Sequence, residues 1–253
     1  METGICSLAL IPGKKEPSDK AEMVTELLFG EVYEVLQEEA KWLLIRNNAD
    51  LYECWIDRKQ HLSCDFSVIP NLELSRRVFE WIKDEISQSV FPVPLGSRIP
   101  KQGEILEIGK HLFSRVKLDP EIAENSIIAL AKSLLNSPYR WGGKSPMGID
   151  CSGFVQIVMS LNNINLPRDA YQQAEIGEMV PFIEQAQTGD LAFFDNLDGK
   201  ITHVGLIIGR NEKAMDIIHA SGKVRIDTLD HIGIYNLDTG VYTHQLRLIK
   251  RVI

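Results

Sequence analysis

Apolar and polar residues alternate through Glu31-Val32-Tyr33-Glu34-Val35-Leu36, the period of a half-buried strand. Trp42-Leu43-Leu44-Ile45-Arg46 follows a charged turn, and Asn47-Asn48-Ala49-Asp50 makes the next one. Tyr52, Trp55 and Ile56 then supply another short β segment. Short strands this closely spaced predict a small barrel over residues 1–65. In residues 66–119 the spacing of Val78, Phe79, Ile82 and Ile86 predicts a helix over 74–86. Phe91-Pro92-Val93-Pro94 is expected to break any regular element, and apolar positions from Ile105 to Val116 predict further short strands. This middle segment reads as a connector or a second small barrel.

The texture changes at Pro120. Residues 122–135 carry a helical stripe through Ile127, Ile128, Leu130, Ala131, Leu134 and Leu135, which Ser137-Pro138 ends. A glycine-rich loop, residues 141–148, leads into Asp150-Cys151-Ser152-Gly153, and residues 154–161 predict a second helix. Strands are predicted at 191–194, 203–208, 215–219 and 246–253. A cysteine-bearing helix followed by an antiparallel run of strands describes an α+β domain over 120–253.

The formal net charge of −8 and the lack of a dense basic patch argue against a nucleic-acid or anionic-membrane binder. No stretch approaches the roughly 18 apolar residues of a membrane span. The start of the chain lacks a basic segment followed by a long apolar run, so the expected location is cytoplasmic, or periplasmic if a leader has been removed. Cys6, Cys54, Cys64 and Cys151 do not have the spacing of a disulfide framework. Cys54 and Cys64 are best read as free thiols, with pairing or metal binding as the alternatives.

Chemistry concentrates around Cys151. A thiol attacks only as the thiolate, so a nucleophilic cysteine needs its pKa lowered. Asp150 is a candidate N-cap that places Cys151 in the first helical turn, where the helix dipole favours negative charge. His203 opens an apolar strand and can serve as base, while His219 on the next strand can orient it, the logic of a catalytic triad. The Cys151 backbone N–H and the Tyr139 hydroxyl are the expected oxyanion donors. His61, His111, His231 and His244 receive no role. The glycines at 142 and 143 lack a phosphate-loop lysine pattern, and loop flexibility or close approach of backbone to substrate explains them better.

Asp150-Cys151-Ser152-Gly153-Phe154, the segment from Ile201 through His203 to Gly209, and Ile218-His219-Ala220-Ser221 resemble the three signature blocks of NlpC/P60 cysteine peptidases. Tyr139-Arg140-Trp141-Gly142-Gly143 and Gly189-Asp190-Leu191-Ala192-Phe193-Phe194 match the flanking blocks, so the resemblance covers residues 120–253. It implies a papain-like NlpC/P60 domain preceded by one or two SH3-like barrels, with Cys151 as nucleophile, His203 as base, His219 as third polar residue, and no cofactor or metal. Leu166-Pro167-Arg168-Asp169-Ala170 and the SH3-like start resemble the subgroup of γ-D-glutamyl-L-diamino acid endopeptidases. That subgroup cuts murein peptides bearing a free N-terminal L-Ala, which implies recycling of wall fragments. The resemblance assigns Asp169 to the substrate ammonium and Tyr52 to closing the same pocket. Ser152, Trp141, Asp150 and Arg168 are the other implied substrate-binding residues. A further carboxylate, Glu22 or Glu26, is expected from the first domain, and Ala170 stands where relatives often carry Ser. The expected partner is thus a murein tri- or tetrapeptide.

Three other readings stand beside this one. They are a cysteine amidase or acyltransferase using the same pair, a non-catalytic wall-binding protein, and a zinc site made by Cys151, His203 and His219.

Overall fold

The structure, a computed structural model, describes residues 2–65, 72–117, 126–210 and 214–252. The chain divides into two compact units, Met1–Glu124 with Trp141–Pro146, and Asn125–Arg140 with Met147–Ile253. The boundaries expected near 66 and 119–120 lie outside the described residues, as does the start of the helix expected from 122. Residues 141–146, expected with the C-terminal domain, group with unit 1.

Unit 1 begins with β1 (Thr3–Ile5), β2 (Leu10–Lys14), β3 (Met23–Leu28), β4 (Val32–Glu38), β5 (Trp42–Asn47), β6 (Glu53–Asp57) and β7 (Leu62–Ser63). Among the described residues these form one sheet in the order β3-β2-β6-β5-β4-β1-β7, antiparallel at its pairings. In β4 and β5 every second residue turns inward, so Tyr33, Val35, Leu43 and Ile45 join Ile11, Leu27 and Ile56 in a buried cluster. Each such side chain contributes about 1.5–3 kcal/mol on burial. Cys6 and Cys54 are buried in this cluster as free thiols, and Cys64 is also unbridged.

The middle segment contains β8 (Glu73–Leu74), β9 (Phe79–Asp84), β10 (Val90–Pro94), β11 (Arg98–Ile99), β12 (Ile105–Ile108) and β13 (His111–Arg115). The helix expected over 74–86 is therefore strand where it is ordered into an element. The inward positions of β9 are Glu80, Ile82 and Asp84, so two of three carry charge and the period-two pattern is hidden. Arg115 donates to Glu80 at 2.6 Å, and His111 sits 2.9 Å from Asp84. The two prolines near 92 do not break structure either. They lie in β10, the edge of the sheet β10-β9-β13-β12, where a missing N–H costs no ladder bond. Ile5 of β1 and Phe29, in the turn after β3, share a core with Ile82, Val93, Ile99, Leu106 and Phe113.

The loop strand β14 (Lys144–Ser145) completes unit 1 against β3. Gly142 has φ +76°, and a Cβ there would meet the Met23 carbonyl oxygen at 2.5 Å. The close approach that demands this glycine is to the protein's own β3, not to substrate as the sequence suggested.

Unit 2 holds α1 (Ile127–Ser133), β15 (Gly148–Ile149), α2 (Cys151–Ser160), α3 (Ala170–Gln173), β16 (Glu178–Val180), β17 (Leu191–Asp195), β18 (Ile201–Arg210), β19 (Met215–Ser221), β20 (Lys223–Leu229), β21 (Gly233–Asn236) and β22 (Val241–Arg251). The sheet order is β16-β22-β17-β18-β19-β20-β21, and β21 also pairs with β22, so six strands close into a barrel. Ala192, Phe194, Ile207, Met215, Ile217, Leu229, Ile234 and Ile249 fill its interior. The opposite parity of β18 and β19, Val204, Leu206, Ile218 and Ala220, is wholly buried too, because α2 packs on those strands. Burial of both faces explains the unbroken apolar runs in the sequence. Among the described residues no helix is long and apolar enough to cross a membrane.

Candidate active site

Helix α2 starts where its cap dictates. Asp150 has extended backbone angles, and its carboxylate accepts the Gly153 N–H at 2.7 Å. The buried Arg168 guanidinium grips the same carboxylate at 2.6 and 3.0 Å and the Ser152 hydroxyl at 2.9 Å. Gln173, itself buried, ties the loop down by donating to the carbonyls of Ser152 and Pro167. Arg168 and Asp150, expected at the substrate, are 1% and 4% exposed. This pair positions the helix start. Ser152 is drawn into the same network, whereas Trp141 is 57% exposed in unit 1.

Cys151 is the first helical residue, ahead of the first intrahelical bond, which runs from Phe154 N to Asp150 O. Its Sγ lies 3.9 Å from the Thr202 carbonyl and is also engaged by the Val204 N–H, the two groups that flank His203 in β18. Burial, with the Asp150 charge adding to it, pushes the thiol up to about 12. The sequence had the helix start and a neighbouring histidine together lowering this pKa, and burial works against both. The cap that starts the helix takes up one N–H and sets a carboxylate beside the sulfur. Tyr139, 36% exposed, is raised to about 12 by burial and by the nearby Cys151 and Asp150, which leaves its hydroxyl a donor at neutral pH.

His203 hydrogen-bonds through Nε2 to His219 Nδ1 at 2.8 Å, and His219 Nε2 meets Asp227 Oδ2 at 3.0 Å. Burial would raise the Asp227 pKa. Hydrogen bonds from His219, Arg225 and the Leu237 N–H outweigh it and hold the group well below the usual carboxylate range. An ionised carboxylate only accepts, so His219 donates Nε2–H to it. One proton serves the bond between the two rings, and when His203 Nε2 supplies it the lone pair of that ring stands on Nδ1. Burial, aided by His219 and His244, keeps His203 well below its ordinary pKa and therefore unprotonated at neutral pH. Asp227 thus orients His219, and His219 in turn orients the ring of His203.

Sequence reasoning found His203 and His219 but missed Asp227, Arg225 and His244. Asp227 is a fully buried acid on the strand paired to that of His219, and its only signal was a charge at an inward register position. His244, given no role, lies with its ring 4.1 Å from that of His203, stacked at 23°.

The remaining expected residues are more dispersed. Asp169, half-buried, N-caps α3, and its backbone N–H donates to Gln172 Oε1 at 3.2 Å. Tyr52, half-buried, precedes β6 in unit 1. Glu22 is exposed beside Lys15, whereas Glu26 is buried and accepts the Lys144 N–H at 2.8 Å.

Residues 136–243 match the NlpC/P60 family and residues 14–60 match the bacterial dipeptidyl-peptidase SH3 domain. A dipeptidyl-peptidase 6 from Lysinibacillus sphaericus is 31% identical over 85% of this chain and 87% of its own. The chain belongs to the NlpC/P60 family. It is a cysteine peptidase of that family, with an N-terminal bacterial SH3 domain. A γ-D-glutamyl-L-lysine dipeptidyl-peptidase from Bacillus subtilis is 28% identical over 90% of this chain and 80% of its own. The crystal structure of an NlpC/P60 family protein from Bacillus cereus superposes with a TM-score of 0.83 at 19% identity, covering 99% of both chains, which establishes the shared fold.

The arrangement suits acyl transfer, in which a thiol passes its proton to an imidazole as the sulfur bonds to a carbonyl carbon and N–H groups at a helix start meet the developing oxyanion.

Proposed function

We propose that this peptidase hydrolyses the γ-D-glutamyl–diamino acid bond of murein peptides with a free N-terminal L-Ala, acting on released wall fragments. The observation that carries this reading is likeness across nearly the whole chain, SH3 domain included, to proteins named for dipeptide release and for γ-D-glutamyl-L-lysine cleavage. A dipeptidyl-peptidase must read a chain end, and the end of such a peptide is an ammonium group. Removing that ammonium from water requires an anion beside it. Asp169, half-buried at the head of α3, supplies a carboxylate at the position the subgroup uses. Cross-linked wall with blocked amines would be a poor substrate.

The test is cleavage of L-Ala-γ-D-Glu-diamino acid tripeptides with and without an N-acetyl group, alongside simple lipid esters. Acetylation is expected to cost about 30-fold or more in kcat/KM, the loss of a charged contact worth about 2–5 kcal/mol. Asp169→Asn should lose activity mainly on the free amine. Equal rates on free and acetylated peptides, or preference for the esters, would overturn the reading.

A further inference from the structure

We propose that His203, His219 and His244 form a binding site for a divalent transition metal such as Zn²⁺, and that its occupancy switches the peptidase off. Each ring offers one nitrogen, and the three lie within 4.8 Å of one another. Two of them, His203 Nε2 and His219 Nδ1, are already 2.8 Å apart. Zinc held at 2.0–2.1 Å in tetrahedral geometry sets its nitrogens roughly 3.4 Å apart, so that pair must open slightly, the wider separations must close, and the stacked His244 ring must turn to aim its lone pair at the ion. His244 brings its ring within 4.1 Å of His203 from β22 and is the partly exposed member, which gives the ion an approach.

The surroundings are those of a ligand set. Metal-binding imidazoles fix their orientation by giving the other N–H to a carboxylate or other acceptor. His219 Nε2 meets Asp227 at 3.0 Å, itself held by Arg225, and His244 Nδ1 lies 2.9 Å from the Thr243 hydroxyl. Each outer contact leaves the opposite ring nitrogen for the ion.

Inhibition follows from proton placement and rests on the peptidase reading. With a metal on Nε2 of the uncharged His203 ring, that ring's one proton sits on Nδ1. Nδ1 is the atom that must accept the thiol proton, so the base is lost while the sulfur stays intact and unliganded. This differs from a zinc site that includes Cys151.

The experiment titrates ZnCl₂ into the full chain and into Cys151→Ala, by calorimetry and by ¹⁵N shifts of the imidazoles. One equivalent should bind both proteins alike and perturb these three rings. Co²⁺ in their place should show visible bands without a thiolate charge-transfer band. His244→Gln should bind at least tenfold more weakly, and Zn²⁺ should inhibit wild-type cleavage in step with occupancy, reversibly by chelator. Loss of binding in Cys151→Ala, a thiolate band, or perturbation of other histidines only would overturn the proposal, and that result needs no folded His244 variant. Unchanged affinity in His244→Gln would overturn it as well. If no murein peptide is cleaved but zinc binds the three rings, the functional reading fails and the site stands.

Discussion

Unit 1 ends its buried carboxylates on a lysine, an arginine or a single partly exposed imidazole, His111, whereas unit 2 runs one of its own through two buried imidazoles in series. In unit 1, Lys144 Nζ sits 3.3 Å from Glu31, whose carboxylate also accepts from Leu28 N and Asn47 Nδ2, and Glu80 ends on Arg115. In unit 2, Asp227 is fixed by Arg225 but continues through His219 to His203, a ring with an open proton position. Buried charge is common to both. Chemistry is expected of the network that ends on an uncharged imidazole, His203, whose strand neighbours Thr202 and Val204 engage the Cys151 sulfur.

The strongest way to break the comparison is at the sulfur. Cys151→Ala should remove peptidase activity by about 10⁴-fold or more while thermal unfolding stays near wild type, since one small buried atom is lost. Residual turnover within tenfold of wild type, measured on the free-amine tripeptide, would mean that the unit 2 network is as structural as those of unit 1.

Next comes the tautomer. Asp227→Asn keeps the shape but can donate as well as accept, so His219 and then His203 can settle in the wrong tautomer. Loss of the equivalent control in serine triads costs about 10⁴ in kcat, and a loss of about 10²–10⁴ is expected here. The fall should lie in kcat more than KM. Moreover, because burial holds His203 well below its ordinary pKa, the acid limb of the wild-type kcat/KM profile should lie below pH 6.5. A limb at or above that value would contradict the neutral resting base.

Lys144→Met tests unit 1. Removing one member of a buried pair leaves a charge without its counter-ion and costs about 3–5 kcal/mol. Hydrogen exchange should show the loss in unit 1, around β3 and β4, with the unit 2 barrel still protected. Uniform loss of protection would show that the two units unfold as one.

Much of unit 2 was legible because its strands are apolar on both faces and its cysteine follows a strong cap, and the resemblance of the surrounding blocks to a known family singled out Asp150, Cys151, His203 and His219. What stayed hidden has one cause in both units. Where an inward strand position holds a charge, the period of two disappears, and a neighbouring strand supplies the partner that makes the burial tolerable. Glu80 and Asp84 disguised β9 as a helix in this way, and Asp227 concealed both its strand and its role. His244 was unreadable for a different reason, since only barrel closure by β21 and β22 brings it onto His203.

The smallest effect concerns acid. In unit 1 the His111 hydrogen bond, opposed by burial and helped by the Ile86 N–H and the Ser87 hydroxyl, holds Asp84 well below the usual carboxylate range. A depressed folded pKa means that the unfolded chain takes up the proton first as pH falls. Asp84 therefore contributes stability that is fully present above the unfolded value of about 3.9 and drains away as pH drops towards the folded one. Asp227 follows the same sign in unit 2. Asp84→Asn should be less stable than wild type at pH 7, and the gap should narrow below pH 4, as read by urea unfolding across a pH series. A gap that stays constant down to pH 2 would show that the Asp84 carboxylate is not held ionised by its neighbours, and the likeness between the two buried carboxylates would fail at its simplest point.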